Sequence, residues 1–128
     1  MKVWLYYRLS RDEDVELNSL TNQRNILVEF ANTNHHEIVG ESFDDNVSGM
    51  HFNREGINKI YEQVEQDTIE AIIVKDMSRL GRHKTQTALF IDYLREHDVM
   101  VTLPWWKNDS NPNNFRRVYV IRFHLKLL

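Results

Sequence analysis

Apolar residues in this chain gather into short unbroken runs, then spread out at helical spacing, and the two patterns alternate. The run Lys2-Val3-Trp4-Leu5-Tyr6-Tyr7-Arg8 is β-branched and aromatic and ends in charge, which predicts a buried strand over 2–8. A mostly polar stretch follows. From Ser19, a candidate N-cap, the positions Leu20, Leu27, Phe30 and Ala31 fall on one side of a 3.6-residue period and predict a helix that fades near Asn32 to Asn34. A second strand is expected around Glu37 to Phe43, and Asp44-Asp45-Asn46-Val47-Ser48-Gly49 reads as a turn. Ile57, Ile60, Tyr61 and Val64 recur at i, i+3, i+4 and i+7, predicting a second helix. Ile69 to Val74 predicts a third strand. Ala88, Ile91 and Leu94 mark a helix to about His97, and Val99 to Leu103 a fourth strand.

Strand and helix in strict alternation imply right-handed crossovers and an α/β fold. The expectation is a mainly parallel sheet of four to five strands with helices on both faces. In such sheets functional groups collect beyond the carboxyl ends of the strands. Ser10, Ser48 and Arg79 each follow a predicted strand end. After Pro104 the pattern changes: residues 105–114 read as a loop, and Ile121 to Leu127 alternate as a half-exposed strand would. We therefore expect a body over 1–103 and a divergent tail over 104–128 without a DNA-binding domain.

Composition narrows the reading. The 128 residues suit one domain with a core, and 16 Lys+Arg against 19 Asp+Glu leave a formal charge of −3, with no basic arm. An anionic polymer would have to be met by local arginines. Cysteine is absent, which removes disulfides, thiolate metal sites and cysteine nucleophiles. The N-terminal apolar stretch is too short for a signal peptide or membrane span, so a cytoplasmic location without membrane contact is the expectation.

Arg8 and Ser10 lie two apart, so an extended strand puts both on one face, a hydroxyl beside a fixed cation that can orient a phosphate ester. Arg79 and Arg82 share one side of a helical turn, where guanidinium forks match phosphate oxygens. Taken alone, each pair reads more readily as ordinary surface, Arg79 and Arg82 with Asp76, Glu70 or other acids as ion-pair partners. Asp45, Ser48 and Gly49 share the turn before Arg54, and Gln23 and Lys75 are weaker candidates. The histidines show no metal-ligand spacing, and no GxSxG elbow, P-loop or GxGxxG occurs. Neither a metal nor a cofactor nor a small-molecule substrate is called for.

Taken in order, Tyr7-Arg8-Leu9-Ser10, Asn22-Gln23-Arg24, Asp44 to Gly49 with Phe52 and Arg54, and Val74-Lys75-Asp76-Met77-Ser78-Arg79-Leu80-Gly81-Arg82 resemble the catalytic domain of serine recombinases, the resolvase/invertase family. The wording is most similar to the large transposon branch. The resemblance implies Ser10 as a nucleophile that attacks a DNA phosphodiester and leaves a 5′-phosphoserine link. It implies Arg8, Arg79 and Arg82 around the phosphate, supported by Gln23, Asp45, Ser48 and Arg54. It also implies double-stranded DNA sites as partner, a dimer or tetramer on DNA, and no nucleotide cofactor, since the bond energy stays in the phosphoserine.

Two positions depart from the family pattern. Many small members carry Asp where this chain has Ser78, with Asp76 the nearest acid. The tail's alternating pattern is not the one expected of the long helix that follows the fourth strand in the family. A silent truncated recombinase acting as an interaction module is the rival expectation, and a phosphate-binding signalling module a distant third.

Overall fold

In the computed structural model, residues 1–9, 19–45, 54–81 and 84–104 are described. Four strands, β1 (Lys2–Leu9), β2 (Glu37–Asp45), β3 (Ala71–Ile73) and β4 (Met100–Thr102), form one sheet in the order β2-β1-β3-β4 with every pairing parallel. Three helices connect them: α1 (Leu20–Thr33), α2 (Glu55–Glu65) and α3 (Lys84–Glu96), with a 3-10 turn at Met77–Leu80 after β3.

Alternation along β1 decides which helix packs where. Val3, Leu5 and Tyr7 join Leu27, Phe30 and Ala31 of α1 in one apolar cluster. Trp4 and Tyr6 face the other way, into a larger cluster with Ile57, Ile60 and Val64 of α2 and Phe90, Ile91 and Leu94 of α3. Helices thus cover both faces, as expected. The chain steps from β1 outward to β2, then back across β1 to β3, and the right-handed rule requires α1 and α2 to take opposite faces when the direction reverses. The reversal makes the carboxyl ends of β1 and β3 a topological switch point, where α/β sheets place their ligands.

The three helices end alike and without glycine. His35, Asp67 and Asp98 adopt left-handed φ angles of 58°, 56° and 58°. Each turn then closes with a 6→1 bond, His36 N–H to Ala31 O, Thr68 N–H to Gln63 O and Val99 N–H to Leu94 O, so the chain enters the next strand at once. Ser19 caps α1 as its sequence suggests, its hydroxyl accepting from Asn22 N–H at 3.0 Å.

One boundary differs from the expectation. Asp44 and Asp45 are not turn residues but the last residues of β2, paired in register with Arg8 and Leu9 of β1. Their composition reads as turn; the long neighbouring strand holds them extended. The expected strand at 121–127 lies outside the described residues.

Candidate active site

The carboxyl end of β1 is locked from two sides. Gln23, fully buried on α1, brackets the backbone of Arg8: Arg8 N–H donates to Gln23 Oε1 at 3.3 Å, and Gln23 Nε2 donates to the Arg8 carbonyl at 2.9 Å. An amide carries a donor and an acceptor side by side and so satisfies both backbone groups of one residue at once. From the β3 side, Arg79 Nη1 donates to the same Arg8 carbonyl at 2.6 Å. Arg8 answers with Nε to Arg79 O at 3.2 Å and Nη2 to Ser78 O at 2.8 Å. Two arginines therefore tie the ends of neighbouring strands together through each other's main chain. Arg8 is 0% exposed and Arg79 4%.

Gly81 makes this turn possible. It ends the 3-10 segment at φ 136°, a conformation that residues with a Cβ rarely adopt, and its N–H donates to Ser78 O at 3.1 Å. Asp76 caps the same segment from its front, accepting from Ser78 N–H at 3.0 Å.

Arg54 is mounted differently. It occupies the N-cap position of α2, where its side chain makes no capping bond. The cap comes instead from β2: Asp44 Oδ1 accepts Gly56 N–H at 2.9 Å, while Oδ2 accepts the Tyr6 hydroxyl at 2.8 Å. A Cβ on Gly56 would stand 2.6 Å from Asp44 Oδ2 and 2.7 Å from Phe43 O, so the close approach requires glycine. The Arg54 guanidinium then lies 5.9 Å above the Tyr6 ring and donates Nη2 to Leu80 O at 2.5 Å. Burial raises the Tyr6 hydroxyl pKa, with Arg54 opposing and Asp44 adding to the rise, so Tyr6 stays a neutral donor to Asp44.

Of the residues singled out by sequence, Arg8, Gln23, Arg54 and Arg79 are brought together at the switch point. Asp45 is exposed, and its neighbour Asp44 is the buried acid. Ser10, Ser48 and Arg82 lie outside the described residues. Sequence reading missed Tyr6 and Asp44 and offered Asp76 only as a surface ion-pair partner. The period-2 alternation of β1 does place Tyr6 on the face of Arg8, a signal that was there to use. Among the described residues no cluster of His, Cys, Asp and Glu could hold a metal ion, and no helix is long and apolar enough to cross a membrane.

Arginines are thus buried at the switch point of a parallel α/β domain, one of them two residues before a serine in sequence, a chemistry suited to phosphate esters. The model of the resolvase N-terminal domain matches residues 3–119, and the chain belongs to that family. A resolvase/recombinase of Pseudomonas putida is 41% identical over 58 residues, which cover 45% of this chain and 29% of that protein. The chain thus spans less than a third of that relative's length. A resolvase family site-specific recombinase from Streptococcus pneumoniae superposes with a TM-score of 0.71 at 25% identity, covering 99% of this chain and 87% of that one. The N-terminal catalytic domain of TP901-1 integrase has a TM-score of 0.74 at 17% identity, with 99% and 98% covered, a likeness of fold.

Proposed function

We propose that this chain is the catalytic part of a serine-type site-specific DNA recombinase, with residues 1–103 as its body and Ser10 as its nucleophile. The Ser10 oxygen attacks the scissile phosphorus, the 3′ oxygen departs as a hydroxyl, and the proton passes in net from serine to that leaving oxygen. A 5′-phosphoserine results. Attack by a 3′-hydroxyl of another strand reverses the step, so neither water nor a nucleotide is consumed. Such a transfer relies on positioning and on charge placed where the transition state needs it.

The observation that carries the reading is the reciprocal bonding of Arg8 and Arg79 at the carboxyl ends of β1 and β3, which fixes the backbone leading into Ser10. Arg8 and Gln23 serve in this reading chiefly as builders of that strand end. Arg79 and Arg82 supply cationic charge, and Arg54 supports them from α2, with Asp45 and Ser48 on the adjoining segment. The partner is double-stranded DNA, engaged as a dimer or tetramer, in the cytoplasm where that DNA is reached.

A supercoiled plasmid carrying the DNA that flanks this gene tests the proposal. Incubated with the full chain, it should be nicked, relaxed or recombined, and Ser10→Ala should lose all of these while keeping the same melting curve. Equal activity in Ser10→Ala would reject the nucleophile.

A further inference from the structure

Asp76 lies just after β3, three residues before Arg79, and is only partly buried. One of its oxygens, Oδ1, gathers three donors: the backbone N–H of Ser78 at 3.0 Å, the Ser78 hydroxyl in a short bond, and Nε of Arg79 at 3.3 Å. Arg79 is therefore held at two of its nitrogens, Nε by Asp76 and Nη1 by the Arg8 carbonyl. A planar guanidinium held at both of these positions cannot turn about its Cδ–Nε bond without losing one of them. Burial pushes the Asp76 carboxyl upward, but the Ser78 hydrogen bonds and the Arg79 charge outweigh it, and the group is held below the usual carboxylate range. The clamp is thus charged at neutral pH.

We propose that Asp76 is a positioning residue for Arg79: its carboxylate, steadied by both donors of Ser78, sets the orientation in which Arg79 meets a phosphate. The identity of the anion rests on the recombinase reading above; the clamp itself does not. Simple electrostatics argues the other way, since a carboxylate beside Arg79 repels any incoming anion. Removing its charge would then tighten anion binding. Positioning predicts the reverse, and the two accounts separate cleanly.

The test uses the full chain, labelled with 15N, and inorganic phosphate as the probe. The Arg79 Nε–H signal should exchange slowly in the wild type and speed up in Asp76→Asn, with a smaller change in the same direction in Ser78→Ala. Phosphate affinity should fall about threefold or more in Asp76→Asn, within the range of couplings between contacting residues. The same substitution made in an Arg79→Lys background should then have little further effect. Tighter phosphate binding in Asp76→Asn, unchanged Nε–H exchange in both variants, or an equal loss in the Arg79→Lys background would each overturn the proposal. If Asp76→Asn does not fold, Ser78→Ala decides by the same readouts. If phosphate leaves the wild-type Arg79 signal unmoved, the phosphate-site reading fails, while Nε–H exchange still judges the clamp.

Discussion

The two arginine mounts at this sheet end are built on different principles. Arg8 and Arg79 hold one another through main-chain carbonyls, so their geometry is that of the β1 end and of the 3-10 turn after β3. Arg54 depends on a relay of side chains, with Asp44 capping α2 and fixing Tyr6 beneath the guanidinium. In the first mount the bonds between Arg8 and Arg79 cannot be altered without moving a strand end, and a side chain enters only where Asp76 meets Arg79 Nε. The second can be changed one side chain at a time, which makes it the natural place for variation in how the site is charged.

The two mounts should differ most at Arg8. Replacing it with alanine strips two carbonyls of a charged donor and empties a fully buried volume, and should destabilise the domain by about 3 kcal/mol or more in urea unfolding. Asp44→Ala removes a cap and the Tyr6 acceptor, and should cost about 2 kcal/mol, with Tyr6→Phe about 1 kcal/mol. An Asp44→Ala loss equal to that of Arg8→Ala would erase the distinction between the mounts.

Smaller effects sharpen it by marking regions outside both mounts. Asp98→Gly relieves a left-handed residue at a helix end and should raise stability by up to about 1 kcal/mol in the same assay. No gain would mean that the Asp98 side chain contributes more than its backbone angle takes away. The smallest response expected is at Glu41, which accepts from Arg24 at 2.6 Å and Tyr7 at 2.8 Å on the outer strand. The Arg24 hydrogen bond holds the Glu41 carboxyl low against its partial burial. A depressed carboxylate pKa means a contribution present at neutral pH and lost as pH falls below the ordinary glutamate range, so Glu41→Gln should flatten the acid limb of stability. The Tyr7 hydroxyl is pushed up to about 12, by burial first and then by Glu41, so its contribution is lost on the alkaline side instead. An acid limb identical in Glu41→Gln would show that the exposed pair contributes nothing.

The sequence pattern was enough for the order of elements, because β1 is apolar on both faces and α2 keeps its period over Ile57, Ile60 and Val64. It also marked Arg8, Gln23, Arg54 and Arg79. It failed where long-range pairing overrides local preference: Asp44-Asp45 has turn composition, yet eight residues of parallel register with β1 keep it extended. That one misreading hid Asp44 as the buried acid, since a turn residue would face solvent. The pair of Asp76 and Arg79 was legible as an ion pair, but its role as a clamp was not. Sequence leaves Arg79 either a phosphate ligand or part of a solvated face, and only tertiary contact with Arg8 shows that it is buried.

The most direct test of the account is to trap the full chain on a nicked duplex drawn from the DNA flanking its gene and to map the linked peptide by mass spectrometry. A phosphodiester link on Ser10 is expected, with the link lost in Arg79→Ala at a temperature where circular dichroism shows that variant still folded. A link on any other residue, or one that forms as well without Arg79, would contradict it.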